Sequence, residues 1–151
     1  MGYRSEVRYL IMFYDKEVYD EFKVKVALDP TFNEIRNEFD VDDEKCLITF
    51  HSDWSKWYDS YPDVQAHQKL LEMADEFVEL YPESIDWKFC RIGEEIDDID
   101  IQSGGGMGFI NDYLHVSVAI DYDSQNIRSG IELKENYERE KAQQEVSSNS
   151  G

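Results

Sequence analysis

The chain has 151 residues and carries 34 Asp and Glu against 15 Lys and Arg, a formal net charge of −19. With 41% apolar and 14% aromatic residues it can build a core, which sets it apart from disordered chains of similar charge. A chain of this length buries roughly two-thirds of its unfolded surface and folds as one domain without disulfides or metals.

No apolar run approaches the roughly eighteen residues of a membrane span, and the opening residues lack the basic region and apolar core of a signal peptide. The expectation is a cytoplasmic protein. Cys46 and Cys90 both sit in apolar, strand-like runs and read as reduced, buried thiols. Direct binding to nucleic acid is disfavoured, because phosphate recognition needs clustered Lys and Arg. Anionic membranes are disfavoured on the same ground.

Val7 to Tyr14 is apolar and β-prone and predicts a central strand. Asp15 suits the cap of a following helix in which Val18, Phe22 and Val26 recur every fourth residue until Asp29-Pro30 stops it. Thr31 to Glu34 fits a capping box for a short second helix carrying Phe32, Ile35 and Phe39. An acidic turn, Asp40 to Glu44, leads into a strand from Cys46 to His51.

Ser60-Tyr61-Pro62-Asp63 opens the clearest helix, which runs to Tyr81 and is halted by Pro82. Its predicted inner side holds Ala66, Leu70, Met73, Ala74, Phe77, Val78 and Tyr81. Strands are expected over Ile85 to Ile92, Ile96 to Ile101 and Tyr113 to Tyr122, the last alternating cleanly, with Gly104 to Gly108 as a flexible connector. The order of elements predicts an α+β fold with a mainly antiparallel sheet and helices on one face, a ferredoxin-like sandwich being one version. Residues 1–128 are expected as a single acidic domain, 129–146 as a peripheral charged helix and 147–151 as a disordered tail.

Motifs for chemistry are weak. The glycine run lacks the Lys-Ser/Thr ending of a phosphate loop. Asp40 to Glu44 alternates like a calcium loop, but Lys45 stands where that loop needs glycine, so an incidental divalent site is the most it allows. His51, His67 and His115 have no zinc-ligand spacing, and His51-Ser52-Asp53 sets triad residue types side by side where they point in different directions. The reading calls for no cofactor, no metal and no catalytic residue.

The distribution of charge is more informative. Between Lys69 and Arg128 only Lys88 and Arg91 are basic, against fourteen acids. Helical geometry puts Glu72, Asp75, Glu76 and Glu79 together on the side opposite the apolar stripe, with Glu83 just beyond. An ordinary exposed helix pairs Glu with Lys at this spacing, whereas stacked acids repel by about 0.2 to 0.5 kcal/mol per pair. Glu94, Glu95, Asp97, Asp98 and Asp100 form a second concentration, and with the helix acids make a candidate partner-binding face. Trp54, Trp57 and Tyr58 are candidate aromatic anchors. B-DNA as long as a compact chain of this size, about 38 Å, carries about 22 phosphate charges, close to the protein's own total. Charge that serves only solubility is the competing reading, but solubility does not require charge sorted onto one half of a chain.

The opening Met1-Gly2-Tyr3-Arg4-Ser5-Glu6-Val7, running into the apolar strand, resembles the start of small proteins encoded by bacteriophages. With its charge and length, the chain resembles phage-encoded DNA-mimic inhibitors, phage inhibitors of DNA gyrase being the nearest in that class. The resemblance implies a non-enzymatic protein that occupies the basic DNA channel of a host enzyme in the bacterial cytoplasm. That enzyme would be a gyrase or topoisomerase, or a restriction or CRISPR nuclease. It assigns no functional residue and leaves homodimerisation open. The alternatives are a virion structural or assembly protein with an acidic surface and, further off, a small hydrolase.

Overall fold

The computed structural model describes residues 2–116, 120–122 and 127–149. Five strands form one antiparallel sheet in the order β2-β3-β1-β4-β5. These are β1 (Ser5–Phe13), β2 (Asp40–Asp42), β3 (Leu47–Ser55), β4 (Ile85–Ile92) and β5 (Ile99–Gly104). β1 is central because it is apolar on both faces. Val7, Tyr9, Ile11 and Phe13 join the core beneath the helices, while Leu10, Met12 and Tyr14 pack with Ile110, Leu114 and Ile127 on the other side.

Helix α1 (Lys16–Leu28) starts where Asp15 accepts a hydrogen bond from the Glu17 amide at 2.8 Å, and it buries Val18, Tyr19, Phe22 and Val26. The chain leaves it at Asp29, held extended by the following proline. The expected capping box does not form. Asp29, not Thr31, caps the next turn by accepting from the Thr31 amide at 2.9 Å, and Pro30–Glu34 is a 3-10 helix that seats Phe32 and Ile35.

Helix α2 (Pro62–Leu80) has Pro62 at its first turn, where a missing N–H costs nothing. Its buried residues are Val64, Ala66, His67, Leu70, Leu71, Ala74 and Phe77, whereas Met73, Val78 and Tyr81 are half-buried. The inner face is therefore turned toward His67 and Leu71 relative to the sequence expectation. His67 is tolerated inside because its Nδ1 pairs with the Tyr9 hydroxyl at 2.7 Å.

The connection β3-α2-β4 is a split β-α-β unit, since β1 lies between its two strands. β1-α1-β2 is a second split unit, since β3 lies between its parallel strands, so β2-β3-β1-β4 has the strand order and connections of a ferredoxin-like sandwich, extended at one edge by β5. The expected strand from Tyr113 to Tyr122 is two short ones, β6 (Leu114–Val116) and β7 (Ile120–Tyr122), paired with Leu114 opposite Tyr122. Alternation has the same period in one long strand and in two short paired ones, so the pattern could not separate them. This pair and the 3-10 helix Phe109–Asp112 lie outside the main sheet, and Ile110 and Leu114 cover part of its second face. Helix α3 (Gly130–Asn149) runs past the expected end at 146 into the segment predicted to be disordered, and residues 150 and 151 lie outside the described ones.

The glycine run is a fixed corner rather than a flexible connector. Buried Asp86 accepts from the Tyr14 hydroxyl at 2.5 Å, the Gly108 amide at 2.9 Å and the Met107 amide at 3.3 Å. Burial pushes its carboxyl up from the ordinary Asp value, against these donors. Gly105 has φ +106°, and a Cβ there would lie 2.0 Å from the Asp86 carboxylate and 2.6 Å from the Ile85 carbonyl oxygen. Gly105→Ala is therefore expected to lose about 1–3 kcal/mol through backbone strain and displacement of Asp86, read as a lower denaturant midpoint. An unchanged midpoint would mean that this corner is not fixed.

Candidate functional site

α2 packs on β4 and leaves β5 uncovered, so a cleft of about 780 Å³ opens beside the helix. α2 contributes Gln68, Leu71, Glu72, Asp75 and Glu76, and the sheet contributes Trp87, Phe89 and Arg91 from β4 with Asp100 and Gln102 from β5. Trp57, Tyr58 and Asp59, between β3 and α2, close one end, and Tyr3 and Asp98 complete the lining. The two acidic concentrations, separated by some twenty residues of sequence, thus meet across one cleft. Six carboxylates line it, from Asp59, Glu72, Asp75, Glu76, Asp98 and Asp100, against the one guanidinium of Arg91.

These acids are not equivalent. Asp98 grips Arg91 with both oxygens, at 2.6 and 3.0 Å, and accepts from the Tyr3 hydroxyl at 2.6 Å. The guanidinium, followed by the tyrosine, holds its carboxyl well below the usual range, down to about 2. Its charge is satisfied internally, and its task is to pin the turn between β4 and β5. That turn also shifts β5 relative to the expected strand: Gly93 donates to the Asp98 carbonyl at 2.8 Å and Asp98 to that of Glu95 at 3.1 Å, so Glu94 to Asp97 are not in a strand. Glu94 and Glu95 are exposed but fastened to the chain start, Glu94 accepting from the Arg4 amide and Glu95 donating its amide to the Tyr3 hydroxyl. Asp97 is exposed.

Glu72, Asp75 and Glu76 are exposed along α2 and form no ion pair among the described residues, nor does Asp100 on β5. Asp75 accepts from the Trp87 indole at 3.1 Å, a contact that glycine at 104 permits, since a Cβ there would lie 2.3 Å from the indole nitrogen. Glu79 and Glu83 are exposed farther along and do not line the cleft. Asp86, counted among the fourteen acids by position, is buried and takes no part in the acidic face.

The aromatic floor was only partly legible. Trp57 and Tyr58 stand in the cleft as half-buried rings, whereas Trp54 is 55% exposed outside it. Tyr3, Trp87 and Phe89 had the signal of ordinary core or terminal residues. The opposite side of β5 shows Ile99 and Ile101 to solvent, with Ile96 exposed in the turn before it.

Other sequence candidates are placed as follows. Both cysteines are free and buried. In the acidic turn, Asp40 to Asp42 form edge strand β2, and Asp43 accepts from Tyr19 at 2.5 Å and Lys23 at 2.7 Å. Among the described residues no group of three or more His, Cys, Asp or Glu is arranged to hold a metal ion. His51 is exposed on β3, and the side chain of His115 lies outside the described ones. No helix among the described residues is long and apolar enough to cross a membrane.

His67 has a separate consequence for stability. It is fully buried, with Nε2 lacking a hydrogen-bond partner and standing 3.7 Å from Glu38. Burial lowers its pKa from 6.5 to about 4. The unfolded chain therefore binds more protons between these values, so the stability contributed by neutral His67 is complete above about pH 6.5 and is lost as pH falls toward 4. The loss is about 3 kcal/mol by pH 4. Denaturant titrations at pH 7 and 4 should show that loss relative to His67→Gln, which has no proton to gain. Equal pH dependence in both proteins would assign the effect to other groups.

No family model matches the chain, and no curated protein or solved structure proved similar to it.

Proposed function

We propose that the protein is a DNA mimic without catalysis of its own, which docks its acidic cleft face in the basic DNA-binding channel of a bacterial host enzyme. A gyrase-type topoisomerase is the first target to test, and a restriction or CRISPR nuclease the next. One observation carries this reading: two acidic segments distant in sequence meet on one face, and four cleft carboxylates there, on Glu72, Asp75, Glu76 and Asp100, have no basic partner among the described residues. Folding places like charges together only against their mutual repulsion, so a surface of this kind favours a cationic partner. Association would draw on charge complementarity and counterion release, giving fast encounter that weakens with salt.

The test is retention of bacterial lysate proteins on the immobilised protein, with elution by duplex DNA, followed by DNA-binding competition with the purified partner, gyrase first. The expected result is displacement of DNA that declines as salt rises, while the protein alone neither binds nor cleaves duplex DNA. Inhibition indifferent to salt, or additive with saturating DNA, would place the interface away from the DNA channel and overturn the reading.

A further inference from the structure

The cleft is more than a collection of acids. Its floor and end carry the rings of Trp57, Tyr58, Trp87 and Phe89, and its volume of about 780 Å³ has room for an extended side chain but not for a duplex. The same cleft already holds one guanidinium, that of Arg91, clamped by the Asp98 carboxylate with the Tyr3 hydroxyl on the same oxygen. The internal pair satisfies Asp98 and leaves Glu72 and Glu76 on one wall facing Asp100 on the other side. Among the described residues the Asp100 carboxylate accepts from the Gln102 amide alone, at 3.4 and 3.2 Å to its two oxygens.

We infer that the cleft receives the guanidinium of one arginine from a basic segment of the partner protein, seated between Glu72 and Glu76 of α2 and Asp100 of β5, against the rings of Tyr58 and Trp57. This rests on reading the cleft face as the partner-binding surface. Arginine is the side chain that fits both halves of the lining. Its planar head stacks on aromatic rings, is weakly hydrated and forks onto carboxylates. Lysine brings a compact, strongly hydrated charge that loses more on entering a ring-lined cleft and has no flat face to stack. A phosphate or carboxylate ligand would meet the same repulsion that excludes nucleic acid.

The experiment uses the purified full chain alone, at fixed ionic strength. Acetyl-Gly-Arg-Gly-amide, its Lys counterpart and spermidine are titrated against tryptophan fluorescence, which Trp57 and Trp87 report from within the cleft. The Arg tripeptide is expected to give a saturable change and to bind at least about fivefold tighter than the Lys tripeptide. Glu72→Gln with Glu76→Gln should weaken it at least about fivefold, and Tyr58→Leu should erase the preference for Arg over Lys. Glu135→Gln with Glu138→Gln removes the same formal charge from α3 and should leave affinity within about twofold. Equal affinity for Arg and Lys, equal loss in the two charge variants, or no saturable response overturns the inference, and tighter binding of spermidine reassigns the cleft to polyamines. If the tripeptide fails while DNA is still displaced from the partner in a salt-dependent way, the arginine seat falls and the mimic reading stands. If the tripeptide binds as expected while DNA is not displaced, the arginine seat stands and the mimic reading falls.

Discussion

Phe77→Ala should lower the stability of the protein by about 3–5 kcal/mol, the usual cost of truncating a buried phenylalanine. Phe77 is 1% exposed and stands edge-to-face with Phe22 at 5.1 Å between ring centroids, joining α2 to α1 above the sheet. Removing the ring leaves a cavity between two helices that sheet pairing restrains, so collapse can fill only part of it. Against a total stability of about 5–15 kcal/mol the loss is large, and for a chain of this size it corresponds to a melting temperature roughly 6–20 °C lower. Thermal unfolding followed by circular dichroism measures it, with the exposed neighbour Glu79→Gln as a control expected to stay within about 0.5 kcal/mol of the parent. A Phe77→Ala protein that melts with the parent would mean that α2 is rotated away from the orientation described.

The second large effect concerns binding. Changing Glu72, Asp75, Glu76 and Glu79 to Gln or Asn should weaken the partner complex by roughly 30-fold or more, taking at least about 0.5 kcal/mol for each charge that meets a cation at the interface. The fold should be kept or slightly stabilised. Glu72 with Glu76 and Asp75 with Glu79 are like-charged pairs at i,i+4, each relieved by about 0.2–0.5 kcal/mol on neutralisation. Asn at 75 retains an oxygen that can accept from the Trp87 indole, so the contact between helix and sheet survives. Neutralising Glu135, Glu138, Glu140 and Glu145 on α3 removes the same formal charge and tests whether position matters. Equal losses in the two variants would reduce the interaction to net charge. No loss in either, with the fold intact, would remove DNA mimicry and turn attention to Ile96, Ile99 and Ile101 on the exposed β5 side.

How the acids divide shows the limit of reading charge from sequence. Asp98 and Asp100 stand two residues apart and both line the cleft half-buried, yet one is neutralised by Arg91 and Tyr3 and the other makes no ion pair among the described residues. Asp86 looks like part of the acidic half and is instead the buried anchor of the glycine corner. Position along the chain does not say which carboxylate finds a donor, because the donors come from the chain start, from Tyr14 after β1, from Arg91 of β4 and from the glycine corner.

What the sequence by itself determined follows from local physics. The two-sided apolar run at Val7 to Phe13 makes a strand that must be central, the capping residue Asp15 and the breaker Pro30 delimit α1, and the spacing on α2 sets its acids on one exposed face. Each depends on residues within a turn or two of one another. Only the tertiary structure decided that α2 stops short of β5 and opens a cleft, that the acids of α2 and β5 confront one another across it, and that the alternating run after Tyr113 is divided into two paired strands. These depend on contacts between segments far apart in the chain, which local periodicity does not encode, because the same pattern of apolar residues satisfies several arrangements and only the packing of the whole core selects one.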